Sequence, residues 1–119
     1  MKSILTILVG LSALTGCESP PALYGEAISF EALRDEAVAL GAARLIDGPV
    51  TVSGSVGRVC DAGCWFYLMD ETELVYVKLD LASGLVIPSD SEGKQVFAAG
   101  EFEGEGSSVE FRASTVLLY

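Results

Sequence analysis

From Pro49 onward the hydrophobic period of the chain is two, and few folds accept so many short alternating segments. Val50, Val52, Gly54 and Val56 alternate with Thr51, Ser53 and Ser55, the pattern of a half-buried strand. Gly54 and Gly57 interrupt it and predict strong coiling or a bulge. Asp61-Ala62-Gly63 reads as a three-residue hairpin loop with glycine in the left-handed position. Cys64–Met69 is the second strand, Asp70-Glu71-Thr72-Glu73 a turn, and Leu74–Asp80 the third strand with Val75, Val77 and Leu79 facing inward. Leu81–Gly93 is the longest connection, and Ser89-Asp90-Ser91-Glu92 within it matches a capping box that predicts one helical turn. Lys94–Phe102 and Val109–Leu118 are the fourth and fifth strands, joined by the acidic turn Glu103–Ser108. Val109, Phe111, Ala113, Thr115 and Leu117 are expected on one face. Three strands, a longer crossover and a hairpin is the order of an OB-fold barrel. A five-stranded meander is the rival, and closure, which protects sheet edges, favours the barrel.

Before the strands, Ser29–Leu40 reads as a helix capped by Ser29 and ended by Gly41. Phe30, Leu33, Ala37 and Leu40 share one face at helical spacing, which is expected to pack on its own domain rather than in a partner's groove. Glu18–Gly25 contains Pro20-Pro21 and reads as an extended spacer without hydrogen bonds.

The start of the chain carries an address. Met1-Lys2 is a short positive segment, and Ile4–Leu14 is 11 residues without a charge. A membrane-spanning helix needs about 20, so this is the apolar region of a signal peptide. Leu14-Thr15-Gly16-Cys17 follows and resembles the bacterial lipobox, in which diacylglycerol is transferred to the cysteine sulfur and the leader is cut before it. The expected organisation is a lipoprotein signal peptide over 1–16, a lipid-anchored tether over 17–26, and a helix plus small OB-fold-like β-barrel over 27–119. Membrane attachment is expected through acylated Cys17, in a bacterial cell envelope. Glu18, where an aspartate would favour inner-membrane retention, points to the outer membrane facing the periplasm.

Charge and composition remove several function classes. Asp and Glu number 17 against 7 Lys and Arg, the wrong sign for replacing counterions on nucleic acid. There is no histidine, hence no Ser-His-Asp or Cys-His catalysis. No complete catalytic constellation, cofactor motif or metal site is visible, and a non-catalytic module that binds an envelope protein or small ligand is expected.

The special chemistry lies in Val59-Cys60-Asp61-Ala62-Gly63-Cys64-Trp65. Cys60 and Cys64 flank the hairpin loop and should face each other across it, close to disulfide reach. Outside the inner membrane a bond is the default, worth only about 2 kcal/mol for so short a loop. Two alternatives stand beside it: a strained, reducible redox pair, and half of a Cu(I) or zinc shell with Met69 and Asp61 as the nearest further ligands. Trp65, Tyr67 and Tyr76 with Lys78 are either barrel core and rim or a possible binding face.

Gly54-Ser-Val-Gly-Arg-Val-Cys60-Asp-Ala-Gly-Cys64-Trp65 resembles the shared core of a family of uncharacterised bacterial envelope proteins and lipoproteins, domain of unknown function 4920. Tyr24-Gly25 is similar to the start of that domain, Val86-Ile87-Pro88 and Gly93-Lys94 to its crossover, and Gly100 to its fourth strand. The intercysteine loop is one residue shorter than usual, and Phe66 stands where methionine is common. The resemblance implies an OB-like fold in an envelope setting and supplies no activity.

Overall fold

A computed structural model describes residues 21–106 and 109–119. The leader, Cys17 and the first part of the tether lie outside the described residues, as do Ser107 and Ser108. Along the chain come β1 (Ala22–Gly25), α1 (Phe30–Glu36), β2 (Ala37–Val38), α2 (Leu40–Ala43), β3 (Val50–Val59), β4 (Trp65–Met69), β5 (Leu74–Leu79), a 3-10 turn (Leu81–Ser83), β6 (Gln95–Glu103) and β7 (Glu110–Leu118).

β3 is ten residues long and serves both halves of a barrel. Along one edge it pairs antiparallel with β6, and along the far half of its other edge with β4. β4 pairs with β5, β5 runs parallel to β7, and β7 returns antiparallel to β6, which closes the ring. The parallel β5–β7 contact excludes a meander, whose neighbours are all antiparallel. The protein is therefore mainly β, a closed five-stranded OB-fold-like barrel with two short outer strands and two short helices. Its interior is filled by Phe66, Leu68, Val75, Val77, Val96, Phe111 and Val116, each 2% exposed or less. The inward set Val75, Val77 and Leu79 is as the alternation predicts.

Two bulges set the curvature. Gly57 and Arg58 together oppose Tyr67, because Val56 pairs with Leu68 and Val59 with Phe66; this is the irregularity the glycines predicted. The second was not expected. Ala99 pairs with Thr115 and Gly100 with Ala113, leaving Ser114 over. A Cβ on Gly100 would lie 1.9 Å from the Arg112 carbonyl oxygen, so only glycine fits there. The extra residue inverts the parity of β7. Phe111 and Ala113 face the main core, but Val116 and Leu118 replace Thr115 and Leu117 in it. Leu117 instead joins Leu33 and Phe97 in a second cluster under α1. The single face expected for Val109 to Leu117 is thus corrected.

The segments before β3 also depart from the alternation. Ser29 caps α1 as predicted, its Oγ accepting from the Ala32 amide at 3.1 Å. The helix stops at Glu36, however, because Ala37–Val38 pairs parallel with Thr51–Val52, on the stretch of β3 edge that β4 leaves open. The chain turns helical again at Leu40, whose amide donates to Asp70 Oδ2 at 2.9 Å. Likewise, part of the expected spacer is folded: Ala22–Gly25 pairs with Thr115–Leu118 on the edge of β7 that β5 does not reach. The capping-box segment forms turns, with Ser91 Oγ donating to the Pro88 carbonyl at 2.6 Å, and no helix.

Asp70 ties these parts together. Its Oδ1 accepts from the Thr72 and Glu73 amides and the Thr72 hydroxyl, while Oδ2 caps α2. Arg44 closes the same joint by pairing with Glu73. Desolvation raises the Asp70 pKa, but the backbone amides of Leu40, Thr72 and Glu73 outweigh it and hold the carboxyl at about 2. The folded value lies below the unfolded one near 4, so the stabilisation is present above pH 4 and lost as pH falls towards 2. Asp70→Ala is expected to cost about 1 kcal/mol at pH 7, with the gap to wild type narrowing through that window in urea melts.

Candidate functional site

The loop between β3 and β4 is built by local bonds. The Cys60 amide donates to the Trp65 carbonyl at 2.9 Å, and the Gly63 amide to the Cys60 carbonyl at 2.8 Å. Gly63 has φ +75°, the left-handed value the sequence predicted, and a Cβ there would sit 2.1 Å from the Ile87 carbonyl oxygen. The Ile87 amide in turn donates to the Gly63 carbonyl at 3.0 Å, and the Leu79 amide to that of Cys64 at 3.1 Å. The hairpin tip is thereby pinned to the crossover.

This frame places Cys60 Sγ and Cys64 Sγ 2.9 Å apart, as two half-buried thiols in contact. They are not equivalent. The Cys64 thiol and the backbone amides of Cys64, Ala62 and Gly63 stabilise charge on Cys60 and bring its pKa down. The same contact with Cys60, aided by partial burial, pushes Cys64 up. Met69 stands at the far end of β4, about 16 Å of strand from Cys64. It cannot complete a metal shell there, which corrects that candidate. Among the described residues no group of three or more His, Cys, Asp or Glu is placed to hold a metal ion.

Trp65, Tyr67, Tyr76 and Lys78 come together on the outer face of β4–β5. Trp65 is paired with Lys78 and Tyr67 with Tyr76, so parity alone puts all four on one side. The rings touch one another, Trp65 to Tyr67 and to Tyr76 at 5.6 Å and Tyr67 to Tyr76 at 5.8 Å between centroids. All four are half-buried, while Phe66, Leu68, Val75 and Val77 between them point into the core. The rings are therefore platform, not core. Partial burial raises the Tyr76 pKa, with Glu110 and Cys64 adding to it, so its hydroxyl stays a donor. Lys78 is held by Glu103 at 3.3 Å and Glu110 at 3.6 Å, and Arg112 by Glu103 at 2.6 Å. The sequence placed Lys78 on this face but not its acidic partners, which arrive from β6 and β7. Nor did it reveal the role of Ile87 under the cysteine loop. A separate groove lies between β2 and the Asp70 turn, lined by Val38, Ser53, Gly54 and Thr72 among others.

Fold and face together define a small OB-fold-like barrel with an aromatic outer patch beside a thiol hairpin. No family model matches the chain, and no curated protein matches it. Among solved structures, that of the hypothetical protein ygiW from E. coli is similar at 17% identity and a TM-score of 0.46, over 80% of this chain and 91% of that one.

Proposed function

We propose that the protein is a lipid-anchored module of the bacterial cell envelope that binds a protein segment or small ligand through the Trp65–Tyr67–Tyr76 face. The observation that carries the binding role is the ring cluster itself: three mutually packed aromatic side chains, half-exposed, on the second and third barrel strands. That face and the loop between the first two strands are where OB-folds take their ligands. Packed rings lose little freedom on binding and offer apolar area with polar tips. Glu103 and Glu110 neutralise Lys78 on the same face, which disfavours a phosphate chain and suits a neutral or cationic segment.

The anchor reading rests on Leu14-Thr15-Gly16-Cys17. Only four residues lie between Cys17 and Ala22, where β1 begins, so five Cα steps would keep the barrel within about 18 Å of its lipid. The site would then meet partners close to the bilayer.

Trp65 is the only tryptophan in the chain, and its fluorescence reports on the face directly. The double variant Trp65→Ala with Tyr76→Ala is expected to retain its circular dichroism spectrum. It should lose envelope partners captured by the wild-type protein, with affinity down at least 30-fold if the pair forms a hot spot of about 2 kcal/mol or more. Undiminished capture by the folded double variant would refute the binding role of this face.

A further inference from the structure

The thiols and the rings share one hairpin, and that hairpin does not need a sulfur–sulfur bond to keep its shape. Four backbone hydrogen bonds, from the amides of Cys60, Gly63, Leu79 and Ile87, already hold the loop. A cross-link over so few residues removes little freedom from the unfolded chain. What the sulfurs add is chemistry. They are in contact at 2.9 Å and half-buried rather than enclosed. The Cys64 thiol, with the backbone amides of Cys64, Ala62 and Gly63 adding to it, favours charge on Cys60, while contact with Cys60 disfavours charge on Cys64. The ring platform begins at the next residue, Trp65, and Tyr76 is close enough to sense charge on Cys64.

We propose that Cys60 and Cys64 form a thiol–disulfide exchange pair, Cys60 attacking and Cys64 resolving, that acts on a disulfide carried by a protein segment seated on Trp65, Tyr67 and Tyr76. The seating rests on the binding role proposed above; the exchange does not. In the first step the Cys60 thiolate attacks one sulfur of the partner's disulfide. A Cys60–partner bond forms, the partner's own S–S bond breaks, and its second sulfur leaves as a thiolate. Cys64 then gives its proton to that thiolate and attacks Cys60 Sγ. The Cys60–Cys64 bond forms, the mixed disulfide breaks, and the remaining partner sulfur leaves and takes a proton from water. The partner's disulfide has gained two electrons and two protons, and the pair has lost two electrons with the protons of its two thiols. The reverse sequence lets the oxidised pair accept two electrons from a partner dithiol.

The test uses full-length protein in detergent, reduced and then freed of reductant. It is mixed with glutathione disulfide, quenched with iodoacetamide at intervals and read by mass spectrometry. Cys64→Ser is expected to accumulate the glutathione adduct on Cys60 at least about tenfold faster than Cys60→Ser accumulates it on Cys64. Wild type should pass to the internal disulfide without accumulating adduct. Equal rates in the two variants, or no adduct in either, would overturn the exchange assignment. Cys64→Ala provides a second trap should the serine variant fold poorly. Seating is read separately, as the ratio of the rate with a disulfide-bonded peptide bearing aromatic residues beside its cysteines to the rate with glutathione disulfide. In Trp65→Ala with Tyr76→Ala that ratio should fall about tenfold. An unchanged ratio would sink the seating and the binding role beneath it, while leaving the exchange chemistry to the first experiment.

Discussion

Cys17→Ser, expressed behind an ordinary cleavable secretory leader, is expected to move the protein from the membrane pellet to the soluble fraction completely. The leader must be exchanged so that an uncut apolar segment does not hold the variant in place. The reason is energetic. Each buried methylene of an acyl chain contributes about 0.8 kcal/mol, and two chains anchor stably. Among the described residues no helix is long and apolar enough to cross a membrane. Without residues 1–16, six cations face 17 anions, a balance that repels anionic headgroups. The check is fractionation, with the amino terminus read by mass spectrometry. A correctly cut serine variant that still pellets would show that the anchor lies elsewhere.

The second large effect is in the barrel. Phe111 is fully buried, opposes Val77 across the parallel β5–β7 contact, and meets Phe102 edge-on at 5.0 Å between centroids. Phe111→Ala is expected to cost about 3–5 kcal/mol, a large share of the roughly 5–10 kcal/mol that holds a domain of this size. The denaturant midpoint should fall by at least about 30%. Leu45→Ala is the control, since Leu45 is 87% exposed and truncating it removes almost no buried area. Equal midpoints for the two variants would contradict closure of the barrel at that contact.

How much of this was legible beforehand depends on the distance over which each feature is decided. The five strands, the Ser29 cap and the Gly63 turn are decided within a few residues, and the sequence predicts them within a residue or two. The closeness of Cys60 and Cys64 follows from the hairpin, and the common face of Trp65 and Tyr67 from strand parity. What escaped is decided by distant partners. The helix is broken at Ala37 by pairing with Thr51, and it restarts at Leu40 because a carboxylate 30 residues later, Asp70, meets its first amide. The inversion of β7 at Ser114 comes from a glycine on the neighbouring strand, Gly100. The four residues of β1 are too few and too plain to announce a strand, and they become one only because β7 has a free edge there. At the site, the same limit hid Ile87 beneath the cysteine loop and the glutamates around Lys78.

Those two short outer strands have a consequence for how a partner can hold this protein. β1 covers the stretch of β7 that β5 leaves open, and β2 does the same for β3 beside β4. The outer edges that β1 and β2 themselves present are only four and two residues long, too short for an incoming peptide to zip its main chain onto the sheet there. On those two flanks, a partner of the kind proposed above would be read through side chains, one pocket or ring at a time. A binder's sequence, not merely its willingness to extend, would then decide whether it is accepted.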